Sequence, residues 1–431
     1  MTFRNPGRTV AAVVVLIAQT LIMTACSSNT IDFLYVATSS QSPGQISAYE
    51  VDHLSGALRP LSGSPFTVGN NPIALVASPD GSSLYVVNQK DNTVQQLTVG
   101  SDGKLASKST IQTPGTLPIS IAIDPQLRYL YVLDTYAPGK TYGAVAVISL
   151  NADGSFGSLL NDVVGSCTLN YFPVGTLQSN CTVVNPGISP TAIAVMEAST
   201  YPTTIGSATN YQTNVYVTGI NQNTISSPAF IPAGGALYSF LMTGSVASGA
   251  STPTVSFALT GTVAAGTLPV AVTAEPRGRF VYVADQTENQ MYGYSVFGSN
   301  LLQRLNDSPF KTGIRPTSMT VDPRGLYLLV SCSTDETVSN YTIDPTTGDP
   351  SATMSATGAT GPGPVSVAIE PALGRYVYSA NHVDNSVSGF KMDPSTGALS
   401  LTQNSPYPTG GGPTAIAIIA HGDHPTVSLA P

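Results

Sequence analysis

Residues 269–285 read Pro-Val-Ala-Val-Thr-Ala-Glu-Pro-Arg-Gly-Arg-Phe-Val-Tyr-Val-Ala-Asp. A proline opens an alternating apolar segment, Glu-Pro-Arg-Gly supplies a turn, and a Tyr-centred apolar segment runs to Asp285. Period-two alternation of β-branched and aromatic residues between Pro and Gly punctuation predicts a β-hairpin. The unit recurs, whole or in part, from Pro72, Pro118, Pro190, Pro316, Pro364 and Pro413. The seven prolines are 46, 72, 79, 47, 48 and 49 residues apart. The regular period is therefore 46–49, and two intervals carry insertions.

One period has room for four strands: a Pro-led strand a, a Tyr-centred strand b, then c and d joined by a Gly-containing turn. Four strands repeated radially at this period predict a β-propeller. The chain ends agree. Phe33-Leu34-Tyr35-Val36 matches strand b with no strand a before it, and Thr414 to Ala420 matches strand a with no strand b, c or d after it. The C-terminal strand is expected to complete the first blade, which removes the exposed edges an open stack would present. The expected fold is all-β: seven four-stranded antiparallel blades over residues 31–420, insertions near 151–189 and 197–236, and a tail at 421–431. A further cue, Ser-Pro-[Phe/Tyr]-x-x-Gly-x-x-Pro, marks the exit from strand d at Ser64–Pro72, Ser308–Pro316 and Ser405–Pro413.

Composition narrows the function. The chain has 431 residues, 16 Lys+Arg, 24 Asp+Glu and a net charge of -8. So few cations cannot supply the phosphate contacts of a nucleic-acid binder. Residues 1–25 read as a signal peptide, with Arg4 and Arg8 before the apolar run Thr9 to Met23. The run ends in Met23-Thr24-Ala25-Cys26, which resembles a bacterial lipobox with Cys26 as the lipidated residue. Residues 26–30 are then a short tether. Several acyl chains, at about 0.8 kcal/mol per buried CH₂, anchor stably where one does not. The expected location is the cell envelope, lipid-anchored to a bacterial membrane on the periplasmic side of the outer membrane or at the cell surface. Cys167 and Cys181 flank a Gly-, Pro- and Asn-containing loop. In an oxidising compartment a disulfide between them would close a loop of about 15 residues and contribute roughly 3 kcal/mol. Cys332, at a strand end with no basic neighbour, reads as a buried small residue.

The segments LYVVN, LYVLD, VYVAD and YVYSAN, with SPDG and DPRG turns, resemble the YVTN-repeat, lactonase-like seven-bladed propellers. The resemblance spans residues 31–420 and implies the fold. That family contains 6-phosphogluconolactonases, muconate cycloisomerase-like enzymes and exported members without a known reaction.

In such a propeller the b–c loops and d–a connections share one face, where ligand clefts usually lie. The turn arginines Arg128, Arg277, Arg279, Arg324 and Arg375 fall on the other face and read as solvated. On the ligand face, ring-ester hydrolysis needs a base for water and a cation or donor for the developing oxyanion. His382 or Glu288 could be the base, and Arg315 the oxyanion or carboxylate holder. Asp285, Asp134, Lys311 and Asp384 are candidate ligand-binding residues. No metal site or cofactor is expected. Asn381-His382-Val383-Asp384-Asn385-Ser386-Val387 looks like the family's Asn-Arg-Gly-His-Asp/Asn-Ser-Ile loop, with the histidine displaced and Arg-Gly absent. No histidine stands between His53 and His382. The reading is a monomeric, lipid-anchored envelope propeller that binds a small ligand, glycan or envelope protein on its funnel face. Lactone hydrolysis resembling that of 6-phosphogluconolactonase is the alternative.

Overall fold

The computed structural model describes residues 30–159, 188–197, 203–205, 208–221, 234–246, 254–298 and 300–421. Cys26, Cys167, Cys181, His424, most of the first expected insertion and part of the second lie outside them. Seven antiparallel sheets follow one another as blades, each with strand order a-b-c-d from the inside outwards. Blade 5, for example, is Pro269–Ala274, Phe280–Asp285, Gln290–Phe297 and Leu301–Arg304. As expected, Pro413–Ala420 pairs with Thr30–Thr38 to complete blade 1, with Asp32 opposite Ala420 and Val36 opposite Ile416. Every residue of Thr30–Thr38 is buried. Among the described residues the helical element is a single 3-10 turn, Gln89–Asp91.

The repeat residues have identifiable jobs. The strand-b tyrosines Tyr35, Tyr85, Tyr282 and Tyr378 are all fully buried. Their hydroxyls donate to the carbonyls of Gly103, Gly154, Gly348 and Gly56, in the c–d turn of the next blade. Tyrosine suits the place because its ring fills the blade seam while its hydroxyl reaches across. The glycine suits its turn: at Gly348 φ is +79° and a Cβ would stand 2.3 Å from the Phe280 ring.

The strand-a proline marks a register slip. Pro72, Pro118, Pro190, Pro269, Pro316, Pro364 and Pro413 pair with Asn88, Asp134, Gly219, Asp285, Cys332, Asn381 and Thr38, and each ladder shifts by one residue immediately after. A proline has no N–H to donate, so the ladder loses least by bulging there. The bulged residue then faces the neighbouring blade. Thr317 and Thr414 donate to the carbonyls of Pro364 and Pro72, at 2.8 and 2.7 Å. The Ser-Pro cue is also explained. Ser64, Ser308 and Ser405 hydroxyls accept strand-c N–H groups from Ala48, Gly293 and Gly389 at 2.8–3.1 Å. Strand c is thereby satisfied where strand d has ended.

One expectation needs correction, and one insertion has strands of its own. Within and beyond 197–236, Ala208–Asn221 and Gly234–Val246 form a long hairpin, and Thr203–Ile205 adds a short extra strand. The hairpin's Thr- and Val-rich alternation is strand chemistry, hidden at sequence level by the lost period. The correction is that the turn arginines are not simply solvated. Arg128, Arg279 and Arg324 form ion pairs with Asp124, Glu275 and Asp322, whose side chains are fully buried at the ends of strand a. In these three blades a buried acid and a turn cation close the a–b corner together.

Candidate funnel-face site

The b–c loops and d–a connections meet on one face, and their chemistry follows a repeated plan. The residue ending strand b lies beneath the glycine of the Gly-x-x-Pro connection that leads into its own blade. Cβ atoms built at Gly69, Gly115, Gly266, Gly313, Gly361 and Gly410 would stand within 2.2–3.0 Å of Asn88, Asp134, Asp285, Cys332, Asn381 or Thr38, or of the loop acids Asp91, Asp335 and Asp384. A left-handed b–c residue then holds the connection from above. The side-chain carbonyls of Asn92, Asn289 and Asn385, all at φ between 53° and 57°, accept the N–H of Leu117, Arg315 and Gly412 at 2.6–2.8 Å. Asparagine tolerates that backbone region and supplies the acceptor.

This plan engages most of the candidate acids in architecture. Asp285 is fully buried. Its carboxylate accepts four backbone N–H groups, from Thr267 (2.5 Å), Leu268 (2.6 Å), Thr287 (3.0 Å) and Glu288 (2.7 Å). Glu288 accepts the Thr267 and Tyr292 hydroxyls, both at 2.6 Å, and these bonds hold its carboxyl below the usual range. Asp384 accepts the Ser386 hydroxyl at 2.8 Å, and its other oxygen lies over Gly361. Asp134 is the exception. It occupies the place of Asp285 in blade 3, but the longer loop there brings only the Gly115 N–H, at 3.1 Å, and leaves Oδ1 without a partner. Burial pushes its carboxyl up to about 7, against lowering by Thr113 and Gly115. Because it is sealed beneath Gly115, it does not face solvent.

The exposed groups are different. Arg315, at φ +59°, is held by its backbone: its N–H meets Asn289 and its carbonyl accepts Ser333 N–H at 2.9 Å. Its guanidinium and the Lys311 ammonium make no hydrogen bond or ion pair among the described residues and are exposed. Glu288 and Arg315 are brought to the same blade boundary through Asn289. His382 stands further round the ring, on the blade 7 loop, where its backbone N–H donates to Gly363 at 2.9 Å.

His382 has the most definite chemistry. Its Nδ1 lies 2.9 Å from the carbonyl oxygen of Pro413. A carbonyl only accepts, so Nδ1 carries a proton, and the neutral form of the ring is then the tautomer with its lone pair on Nε2. The ring is exposed, and Nε2 has no protein partner among the described residues. Cε1 lies 3.2 Å from where a Gly412 Cβ would be, and the exposed Ser40 hydroxyl lies 2.6 Å from the same point. Any side chain at Gly412 would fill this space. The sequence had named His382, but nothing in it showed the Pro413 carbonyl, which comes from a strand 31 residues away.

Comparison with known proteins accords with this architecture. The family of lactonases with a 7-bladed β-propeller matches residues 33–166 and 238–369. The periplasmic gluconolactonase of Pseudomonas aeruginosa superposes with a TM-score of 0.63 at 20% identity, covering 91% of this chain and 100% of that one. A putative 6-phosphogluconolactonase from Bacteroides fragilis gives 0.58 at 17% identity, covering 91% and 99%. A protein from Lactobacillus plantarum gives 0.63 at 15%, covering 90% and 99%. No curated protein matches the sequence. At these identities the structural likenesses speak for the fold, whereas the family match covers most of the chain: it belongs to the seven-bladed β-propeller lactonase family.

Proposed function

We propose that this protein is an exported member of the family that binds a lactone on its funnel face and opens the ring ester, with His382 as the base. The carrying observation is the fixed tautomer of His382, which aims a free Nε2 at solvent from a position oriented by a backbone carbonyl. The orienting bond does for the imidazole what the third member of a catalytic triad does. In the proposed step Nε2 accepts a proton from water as its oxygen bonds to the ester carbonyl carbon. The ring C–O bond then breaks, and the departing alkoxide takes the proton from the imidazolium to give a hydroxy acid. The unpaired guanidinium of Arg315 is suited to hold the carboxylate product. Export rests on the signal-peptide pattern and Cys26, and the periplasmic location of the Pseudomonas gluconolactonase supports it.

A second reading, binding without turnover, is favoured by one observation. Asp285 and Glu288, the two carboxylates of the loop whose Asn289 holds the Arg315 backbone, are both engaged by neighbouring donors. A pH-stat assay of the full-length chain against a panel of five- and six-membered lactones separates the two. Turnover lost in both His382→Ala and Arg315→Ala supports hydrolysis at this site. No turnover above the uncatalysed rate, with the propeller's circular dichroism intact, leaves ligand binding.

A further inference from the structure

A cleft of about 400 Å³ lies between blades 5 and 6 on the opposite face, among the a–b and c–d turns. The volume falls in the range of small-molecule sites. We propose that this cleft is a second ligand site and that it takes a neutral saccharide.

The argument starts from rigidity. The blade 6 wall is the c–d turn Asp344–Asp349. Asp344 accepts the N–H groups of Thr346 and Thr347 at 2.7 and 2.9 Å, which fixes the turn internally. Blade 5 then holds it from outside. Arg279 donates to the Pro345 carbonyl at 2.6 Å, and the buried Tyr282 hydroxyl donates to Gly348 at 2.7 Å. A wall fixed before binding loses little freedom when a ligand arrives.

The lining chemistry selects the ligand. The Arg279 guanidinium is already paired with Glu275 at 2.9 Å. The Arg304 guanidinium donates through Nε to Ser308 at 3.1 Å and lies 4.9 Å over the Tyr292 ring. No cluster of unengaged cations faces the cleft, so it is not built for a phosphate or other strong anion. What remains unfilled is neutral or accepting. The side-chain amides of Gln303 and Asn306 and the Thr346 hydroxyl form no hydrogen bond among the described residues. Asp349 Oδ1 is a buried acceptor with no partner, which leaves a hydrogen bond unmade. At the rim, Phe297 is 51% exposed. Amides, a hydroxyl and a carboxylate without a partner among the described residues, beside an open aromatic face, match a ring that carries hydroxyls on its edges and C–H groups on its faces. None of these residues belongs to the funnel face, so this site stands or falls independently of lactone hydrolysis.

Saturation-transfer NMR on the full-length chain tests it, with glucose, N-acetylglucosamine and cellobiose as probes. Transfer to at least one sugar is expected, with affinity weakened 10-fold or more in both Phe297→Ala and Asp349→Asn. The far-UV circular dichroism spectrum serves as the internal control and should not change in either variant. Phe297 lies at the surface, so its truncation leaves the blade core intact. Absence of transfer to all three sugars, or transfer unchanged in both variants, overturns the proposal.

Discussion

The carboxyl of Asp32 meets the carboxyl of Glu370 inside the seam between blades 7 and 1, and both residues are fully buried. Glu370 is otherwise held by the N–H groups of Leu373, Arg375 and Tyr376, at 2.7, 2.6 and 3.4 Å. Asp32 has no other hydrogen-bond partner for either oxygen. The equivalent acids Asp124, Glu275 and Asp322 each have an arginine; no ion pair reaches Asp32 or Glu370 among the described residues, and Tyr376 and Tyr378 lie nearby. Two buried carboxylates cannot both ionise, so one keeps a proton and donates to the other.

The stability consequence has a definite sign. Burial first, and then the Glu370 charge, raise Asp32 far above the ordinary carboxylate value of 3.8. The folded chain therefore retains a proton that the unfolded chain releases. The stabilisation is complete below about pH 4 and declines as pH rises through neutrality into the alkaline range, by up to ~1.4 kcal/mol per pH unit for one proton. Melting temperatures from pH 5 to 10 should fall more steeply in the wild-type chain than in Asp32→Asn, whose amide donates at every pH. Parallel curves would mean that the pair does not share a proton.

Asp285 and Asp134 occupy the same place in blades 5 and 3 with opposite surroundings. Asp285→Asn replaces one oxygen by a donor facing N–H groups, and should destabilise by about 2–4 kcal/mol. Asp134→Asn loses at most one accepted N–H and removes a carboxyl that burial raises from 3.8 to about 7. The wild-type stabilisation from that retained proton is lost as pH rises through 7. The variant should therefore gain on the wild type between pH 5 and 8. Chemical denaturation at those two pH values measures both effects; equal losses in the two variants would contradict the contrast.

Tyr282→Phe keeps the buried ring and deletes the hydroxyl that reaches Gly348. It leaves a buried carbonyl unpaired at the seam, and a loss of about 1–2 kcal/mol is expected from denaturant unfolding. A neutral result would show that blade seams rest on ring packing alone.

Cys332 is fully buried beneath Gly313, and burial pushes its thiol up to about 12. The thiolate is the reactive form, so the native protein should leave this cysteine unmodified by a thiol reagent at pH 8. In a Cys26→Ser, Cys167→Ser, Cys181→Ser background, one equivalent should react only after denaturation. Rapid labelling of the folded chain would place the thiol at the surface.

Much of this architecture could be read from the repeat, because a hairpin's signals are local. The Pro-led strand, the Tyr-centred strand and the turn glycine each report on a few neighbouring residues, and seven copies reinforce one another. Blade 4 lost legibility because its strands lengthen to 14 and 13 residues and break the period. The ligand face was legible as a face, but not in its chemistry. Whether Asp285, Glu288 or Asp134 is engaged depends in part on donors 17–21 residues upstream, in the connection that leads into the blade. Nothing near Asp134 in sequence shows that it receives one N–H while Asp285 receives four. The orientation of His382 likewise depends on a carbonyl that arrives only when the ring has closed.

That closure also has a consequence for the order of events during synthesis. The strand Thr30–Thr38 is among the first parts of the propeller to leave the ribosome, and its inner partner, Pro413–Ala420, is the last. Until then the strand's inner edge has no neighbour, and contacts of such long sequence separation form slowly. Six blades can pair internally as they emerge, but the ring stays open until translation is nearly finished. The chain thus has a built-in delay before it becomes rigid, and the proposed export would have to use that interval.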